Sequence, residues 1–215
     1  MKYSRLILAV LLMAASSMVL SGCGGKTWSF NFDTATVDQL NSWFIDSFGG
    51  TVSYDDGAVL DGEGIASPVS FDGDWTMSVT FDLNVDDDDN VYFELFPGDT
   101  QGWEPDNYIW SYFDYVGWLT EEEWYVDDTG EIDYDWVIDE VGNIPGIRRT
   151  GSNTWKIVKT GRNFKTYMNG TRLCSFNAVY CDTSEDFFLN IYAELDGGDL
   201  TFRSVEVKYK GNMYD

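Results

Sequence analysis

The sequence contains no histidine among its 215 residues, and this absence excludes several kinds of chemistry. Serine–histidine and cysteine–histidine catalysis, histidine-based zinc or iron sites and histidine general bases all require an imidazole. Any reaction at this protein would therefore have to use carboxylates, tyrosine, lysine or a calcium-like ion.

Basic residues are also scarce. Between Thr27 and Ile147 there are none, against 29 aspartates and glutamates, and the formal net charge of the chain is −24. Such a charge disfavours nucleic acid and anionic membrane surfaces as partners. The repulsion can be relieved by the basic residues after Ile147 or by bound divalent cations, although a simply acidic, soluble surface has the same composition. The sequence predicts no required cofactor, but its carboxylates could bind calcium.

The first 22 residues have the layout of a secretory signal. Lys2 and Arg5 precede an apolar stretch from Leu6 to Leu20, which is too short for a comfortable membrane span. Leu20-Ser21-Gly22-Cys23 resembles the bacterial lipobox, and this resemblance implies cleavage before Cys23 and lipidation of its thiol. An ordinary cleaved signal followed by an incidental cysteine is the alternative.

The chain after the signal suits one domain. We expect a signal peptide over residues 1–22, a lipidated cysteine and short tether over 23–26, and a single domain over 27–215, since a core of ordinary size fits that length. Gly24 stands where inner-membrane lipoproteins commonly carry aspartate. The expected location is therefore the bacterial cell envelope, at the outer membrane, held through the lipid alone.

Two further cysteines, Cys174 and Cys181, are separated by six residues. Cysteine pairs in exported proteins are generally oxidised. The sequence therefore predicts a disulfide between them, with a reduced structural pair as the alternative.

Short strands dominate the pattern of the domain. Apolar and polar residues alternate over Trp75–Leu83 and over Phe187–Leu195, which is typical of strands with one face in a core. Asn169-Gly170 lies between two such segments and predicts a hairpin. In the last strand the apolar positions change parity, which predicts a bulge near Arg203 and Ser204.

One short helix is expected. Thr36 and Gln39 can form a capping box before Leu40 and Trp43, giving about two turns. Many short antiparallel strands with one helix indicate an all-β sandwich or barrel.

Several segments resemble the concanavalin A-like jelly-roll domains, a group that includes laminin-G-like modules, 3-keto-disaccharide hydrolase-like domains and family 16 glucanases. Thr154–Val158 followed by Phe164–Thr171 matches their "W-x-x-v … v-y-v-n-G" signature. Asp199–Val207 is similar to their closing strand, and Trp28–Gly64 is similar to their opening segment. The resemblance implies a two-sheet antiparallel jelly-roll sandwich with at most one short helix. These motifs are structural, so they indicate a fold and not an activity.

Glu131, Asp133 and Asp135 resemble the E-x-D-x-E strand of family 16 glucanases. The resemblance implies that Glu131 is a nucleophile, Asp135 an acid/base and Asp133 a residue that tunes the pair. The three alternate with apolar residues and so share one strand face. However, the last position is aspartate, and the outer Cα atoms are about 13 Å apart in a strand, whereas retaining hydrolysis needs carboxyl groups about 5–5.5 Å apart. An acidic face turned to solvent or metal is the alternative.

An aromatic stripe is a second candidate site. Tyr108, Trp110 and Tyr112 share one parity of a strand, and aromatic rings bind the C–H faces of sugars while carboxylates bind the hydroxyls. With Asp133 and Asp135 on a neighbouring strand they would form a carbohydrate-binding platform. Alternatively, the rings are core or strand-pair residues.

A third candidate is the run from Asp86 to Asn90, which lies between two strands. Asp86, Asp88 and Asn90 would supply oxygen ligands for calcium. The run does not have the spacing of an EF-hand, and a solvated turn is the alternative.

Three functions remain open from the sequence. The first is a non-catalytic, lectin-like envelope module that binds a glycan or polysaccharide. The second is a glycoside hydrolase or keto-disaccharide hydrolase-like enzyme, which Asp135 and the lack of histidine disfavour. The third is a structural, protein-binding envelope protein, which the aromatic stripe makes less suitable than the first.

Overall fold

The computed structural model describes residues 25–46, 48–86, 89–102, 105–114 and 118–215. The expected signal peptide and Cys23 lie outside these ranges. Within them, no helix has the length and apolar character needed to cross a bilayer.

The described chain forms seventeen strands and one helix. The strands are β1 Lys26–Asn31, β2 Phe44–Asp46, β3 Thr51–Ser53, β4 Val59–Asp61, β5 Glu63–Ala66, β6 Ser70–Phe71, β7 Trp75–Asn84, β8 Asn90–Gly98, β9 Tyr108–Asp114, β10 Trp118–Val126, β11 Ile132–Gly142, β12 Thr150–Thr160, β13 Asn163–Met168, β14 Thr171–Asn177, β15 Phe188–Asp196, β16 Asp199–Tyr209 and β17 Met213–Tyr214. The helix, α1, is Val37–Leu40.

Two sheets pack face to face. A six-stranded sheet has the order β1-β16-β7-β12-β13-β14, and a seven-stranded sheet has the order β11-β10-β9-β8-β15-β5-β2. Two small pairs, β17-β6 and β3-β4, complete the structure. The paired strands are antiparallel, so the predicted all-β, two-sheet antiparallel sandwich with one short helix is confirmed.

Aromatic residues from both sheets fill the space between them. The ring centroids of Phe81 and Phe93 are 5.0 Å apart, and those of Phe93 and Phe113 are 4.7 Å apart. Phe202 packs against the same group, 6.1 Å from Phe81. Each of these side chains is fully buried, and burial of one stabilises the fold by about 1.5–3 kcal/mol. This core fixes which face of each strand is turned outward.

The local sequence predictions are confirmed in most respects. Asn169 and Gly170 both have positive φ, 50° and 82°, which is the two-residue turn that Asn-Gly favours between β13 and β14. The register of β16 shifts between Phe202 and Ser204, so the bulge lies where the change of parity predicts it. Thr36 and Gln39 form the capping box, but α1 is a single turn and not two.

The predicted disulfide is wrong. Cys174 and Cys181 are both free and buried. Cys174 lies in β14 with its Sγ 3.0 Å from Oγ1 of Thr166, whereas Cys181 lies in the loop after β14, where its N–H bonds to Glu123. Each thiol therefore has its own buried environment. The two cysteines are close in sequence but do not form a bond.

Charge divides between the two sheets. The strands of the seven-stranded sheet contain thirteen acidic residues and no basic residue, whereas the strands of the six-stranded sheet contain seven basic and three acidic residues. The strands of the seven-stranded sheet therefore have a net negative charge that no basic residue within them compensates.

Candidate functional site: an aromatic cleft on the seven-stranded sheet

The alternation of β9 separates core residues from outward-facing rings. Ile109 and Phe113 are buried between the sheets, while Tyr108, Trp110 and Tyr112 are half-buried on the outer face. The aromatic stripe predicted from the sequence is therefore on the surface of the sheet and not in the core.

Aromatic residues of β10 and β11 extend this surface across three strands. Trp124 lies opposite Tyr108 on one side and opposite Tyr134 on the other. Its ring stacks on both, with centroid distances of 5.2 Å and 4.8 Å and interplanar angles of 14° and 23°. Trp136 meets Tyr134 edge to face at 5.6 Å and is 51% exposed. We call Tyr108, Trp110, Trp124, Tyr134 and Trp136 the aromatic row.

The aromatic row borders a cleft of about 440 Å³. Its lining residues are Glu94, Phe96, Pro105, Tyr108, Trp110, Trp124 and Ile132. A second depression of about 450 Å³ continues from it and is lined by Phe48, Tyr92, Glu94, Tyr112 and Tyr192. Glu94 lines both, so it lies at their junction. We call the first depression the aromatic cleft.

Glu94 is a buried carboxyl, only 4% exposed. Nε1 of Trp110 donates a hydrogen bond to its Oε2 at 3.0 Å. Burial raises the pKa of Glu94 to about 8, the charge of Glu122 adds to the rise, and the Trp110 hydrogen bond opposes it. At neutral pH this carboxyl is therefore largely protonated and can both donate and accept hydrogen bonds.

Glu122 is a second buried carboxyl beside the cleft. Glu122 belongs to β10 and lies opposite Trp110 of β9. It is 2% exposed and accepts a hydrogen bond from Nε1 of Trp124 at 2.6 Å. Burial raises its pKa to about 7, against the effect of the Trp124 hydrogen bond. Two carboxyls with raised pKa, each held by a tryptophan, thus accompany the aromatic row. In a cleft, this combination is typical of a binding or catalytic site.

The predicted pairing of the aromatic stripe with Asp133 and Asp135 is wrong. In the β10–β11 register Asp133 lies opposite Tyr125 and Asp135 opposite Glu123, residues whose side chains are on the other face of β10 from Trp124. Since side chains alternate along a strand, the positions of β11 that face the cleft are those of Tyr134 and Trp136. The sequence shows which residues of β11 share a face. It does not show which of the two faces lies on the same side of the sheet as Trp110.

The same register places the glucanase-like acidic residues away from the aromatic cleft. Glu131 precedes β11 and its N–H donates to Oδ1 of Asp127 at 2.9 Å. Asp133 accepts a long hydrogen bond from the Tyr125 hydroxyl at 3.4 Å. Glu131, Asp133 and Asp135 therefore do not form a carboxylate set in the aromatic cleft.

The sequence reasoning missed Glu94, Glu122, Trp124 and Tyr134. Glu94 and Glu122 occupy positions of strand parity that the sequence could have assigned to an outer face, since Phe93 and Leu95 flank the first. What the sequence does not contain is the order of β8, β9 and β10 in the sheet, which brings these residues together.

The predicted calcium loop is only partly within the described residues. Asp88 lies outside them. Oδ2 of Asp89 accepts the N–H of Asp86 at 2.6 Å, so one carboxylate of this run supports the turn itself. The described residues contain no cluster of three or more potential metal ligands, and the calcium site stays a prediction.

No protein-family model matches the chain, and no functionally curated protein matches it. Solved structures do resemble it. A family 16 endo-glucanase from Bacteroides ovatus, solved with G4G3G-2F-DNP, has a TM-score of 0.59 and 12% identity over 84% of this chain and 98% of its own.

Two other solved structures have the same general shape. A galectin-like protein of unknown function from Bacillus subtilis has a TM-score of 0.62 and 11% identity, covering 86% of this chain and 96% of its own. The CBM2 module of the evolved Dit of Lactobacillus casei BL23 phage J-1 has a TM-score of 0.60 and 7% identity, covering 89% and 100%. At such identities the likeness establishes the fold alone.

Proposed function

We propose that this protein, which has the concanavalin A-like jelly-roll sandwich fold, binds carbohydrate in the aromatic cleft. The observation that supports the proposal is the aromatic row with its two flanking carboxyls. Trp110 and the exposed Trp136 offer apolar ring surface to the C–H faces of sugar rings. Glu94 and Glu122 offer hydrogen-bonding groups at one side of those rings for hydroxyls.

The size and composition of the cleft fit this role. Ligand clefts are commonly about 300–1,000 Å³, mostly apolar, with a few placed polar groups. The aromatic cleft has about 440 Å³ and a mostly apolar lining in which Glu94 supplies the carboxyl group. Among the structural neighbours, the B. ovatus glucanase was solved with an oligosaccharide-derived ligand, and the J-1 structure is named as a CBM2 module.

A glycan array followed by calorimetric titration tests the proposal. Trp136→Ala removes an exposed ring of the aromatic row at small cost to the fold, and Trp110→Ala removes a central one. We expect each to weaken binding at least tenfold. Tyr167→Ala is the matched control, because Tyr167 lies on the outer face of the six-stranded sheet, where it contacts Lys156. Equal binding by all three variants, or no binding to any glycan, would overturn the proposal.

A second candidate function, glycoside hydrolysis, is favoured by one observation. Glu94 and Glu122 flank Trp110, and their pKa values of about 8 and about 7 suit a group that acts as a general acid near neutral pH. If the protein is an enzyme, Glu94→Gln and Glu122→Gln each abolish release of reducing sugar while glycan binding persists. Hydrolysis that is unaffected by both variants would exclude this pair.

We further propose that the domain is a lipid-anchored protein of the bacterial cell envelope, delivered to the outer membrane. The support is the sequence of residues 1–24 alone. Detergent partitioning and cell fractionation test it. The wild-type protein should enter the detergent phase, and Cys23→Ser should yield a water-soluble or unprocessed protein. A processed Cys23→Ser protein that stays in the detergent phase would contradict the anchor.

A further inference from the structure

The sheet that forms the aromatic cleft has carboxyl groups and no basic residue in its strands. The seven strands of this sheet contain thirteen acidic residues and no lysine or arginine. On the outer face, Glu94 lines the cleft, and Glu122 lies beside it, opposite Trp110. Glu194 accepts a hydrogen bond from Tyr92, which lines the second depression. A ligand in the cleft therefore experiences the combined potential of these carboxyls.

The carboxyl groups should make binding depend on the charge of the glycan. A glycan with uronate or sulfate groups would place an anion beside Glu94 and Glu122 with no cation to pair with it, which is unfavourable in a half-enclosed site. A neutral glycan would stack on the rings and form uncharged hydrogen bonds with the protonated carboxyls. A glycan with ammonium groups would gain charge-assisted hydrogen bonds to those carboxyls as well as the stacking.

We propose that the aromatic cleft prefers cationic amino-sugar oligomers, such as oligomers of glucosamine with a free amino group, to neutral and acidic oligomers. The inference rests on the proposed carbohydrate binding and specifies its ligand. Sugar rings stack on Trp110, and ammonium groups lie beside Glu94 and Glu122, to which Trp110 and Trp124 donate hydrogen bonds at 3.0 Å and 2.6 Å.

The titration behaviour of the two carboxyls supports this arrangement. Burial raises the pKa of Glu94 to about 8 and that of Glu122 to about 7. An ammonium group nearby favours the ionised carboxylate and lowers both values. At pH 6.5 both carboxyls are mostly protonated in the free protein. Binding of an oligomer whose amines are already ammonium groups therefore releases the carboxyl protons to the buffer.

Calorimetric titration of the full domain tests the inference. Oligomers of equal length built from glucosamine, N-acetylglucosamine, glucose and galacturonate are compared at pH 6.5 and a constant 0.15 M salt, which limits long-range attraction to about 8 Å. We expect the glucosamine oligomer to bind at least tenfold more tightly than the N-acetylated one. Repeating the titration in buffers of different ionisation enthalpy should show proton release for the glucosamine oligomer alone.

Variants link the preference to the two carboxyls. Glu94→Gln and Glu122→Gln should each reduce the ratio of glucosamine to N-acetylglucosamine affinity by at least threefold and lower the number of protons released. Glu206→Gln, on the outer face of the six-stranded sheet where its carboxylate contacts Lys208, should change neither quantity.

The outcomes distinguish this inference from the proposed function. If neutral oligomers bind as tightly as glucosamine oligomers, the preference is refuted while carbohydrate binding stands. If no oligomer binds, carbohydrate binding itself fails. Spermine is the remaining probe: if it binds as tightly as the glucosamine oligomer and Trp110→Ala weakens neither, the attraction is diffuse and the inference is overturned.

Discussion

Glu123 and Cys181 are joined by a short hydrogen bond, in which the backbone N–H of Cys181 donates to Oε1 of the carboxylate at 2.6 Å. The same carboxylate accepts the N–H of Tyr180 at 2.6 Å and that of Val179 at 3.1 Å. Glu123 belongs to β10 in the seven-stranded sheet, and the loop that it binds follows β14 in the six-stranded sheet. One side chain therefore fastens the two sheets together at this end of the sandwich.

Glu123→Gln should destabilise the fold by about 2 kcal/mol, because three hydrogen bonds to a buried charged acceptor are exchanged for those of a neutral amide whose NH₂ faces N–H donors. Urea denaturation followed by tryptophan fluorescence measures the change. Glu185→Gln, an exposed residue of the same loop, should stay within about 0.5 kcal/mol of wild type. A loss in Glu123→Gln no larger than this control would contradict the role of the carboxylate.

Cys174 and Cys181 should both be free thiols in the native protein. Burial raises the pKa of each thiol, and nearby carboxyls, Glu121 and Glu123 respectively, add to the rise. Since the thiolate is the reactive form, both should react slowly with a thiol reagent in the native state and readily in urea. Alkylation and mass spectrometry without reductant count them. A mass lower by two hydrogen atoms, with no thiol alkylated at either position in urea, would show that the two cysteines form a disulfide.

Glu121 should make stability fall as pH rises. It is fully buried on the core side of β10, and neither of its carboxyl oxygens has a hydrogen-bond partner among the described residues. Burial raises its pKa from 4.5 to about 8, and the nearby polar groups of Thr166, Ser111 and Cys174 only partly oppose this. The folded protein therefore binds a proton that the unfolded chain releases above about pH 4.5. Its contribution is complete below pH 4.5 and is lost as pH rises toward 8.

Denaturant melts between pH 5 and 8 check this for Glu121→Gln, which is neutral throughout. The variant should gain on the order of 3 kcal/mol relative to wild type across that range. Because all other titrating groups are common to both proteins, their effects cancel in the difference. Parallel stability curves would show that Glu121 does not titrate in this window.

Arg203 should contribute more than an ordinary surface charge. Its guanidinium, 24% exposed, lies 2.8 Å from Asp82, 3.1 Å from Asp33 and 3.0 Å from Asp56. Asp56 is 85% exposed and adds little, but the other two partners make Arg203 the anchor of the bulge in β16. Arg203→Ala should cost about 1–2 kcal/mol, and part of the loss should disappear in high salt.

The control for Arg203 is an isolated surface pair. Lys208 contacts Glu206 at 2.8 Å with both side chains largely exposed, and Lys208→Ala should cost at most about 0.5 kcal/mol. Equal losses in the two variants would mean that the three carboxylates do not act together on Arg203.

Calcium binding at Asp86, Asp88 and Asn90 is tested by thermal melts at fixed ionic strength. A ligand that binds only the folded state stabilises it by RT ln(1 + [L]/Kd). If the site exists, millimolar calcium should raise the melting temperature above that in chelator, and magnesium should do so less. Equal melting temperatures would leave a solvated turn.

The sequence predicts structural features that depend on a few neighbouring residues. It does not predict features that depend on the order of the strands in the sheet. The Asn169-Gly170 turn, the bulge at Arg203 and the cap at Thr36 follow from a few neighbouring residues, and all three are confirmed. Parity along β9 also predicts that Tyr108, Trp110 and Tyr112 share one face, although only the structure shows that this face is the outer one.

The rest of the site depends on contacts between strands distant in sequence. Glu94 and Glu122 are 28 positions apart, and only the order β8-β9-β10 brings both beside Trp110. The same limit explains the error at Asp133 and Asp135, since parity identifies two faces of β11 but does not say which one continues the face of β9. Thr166 and Glu123, the observed neighbours of Cys174 and Cys181, belong to other strands, so the spacing of the two cysteines does not predict them.

The position of β11 at the edge of the seven-stranded sheet gives the misassigned aspartates another meaning. Its unpaired backbone edge and its exposed Tyr134 and Trp136 would otherwise be a template on which a second copy could add a strand. Asp133 and Asp135, which alternate with these rings, place like charges opposite one another in any such pairing. This repulsion disfavours self-association at this edge of the seven-stranded sheet, and high ionic strength weakens the repulsion.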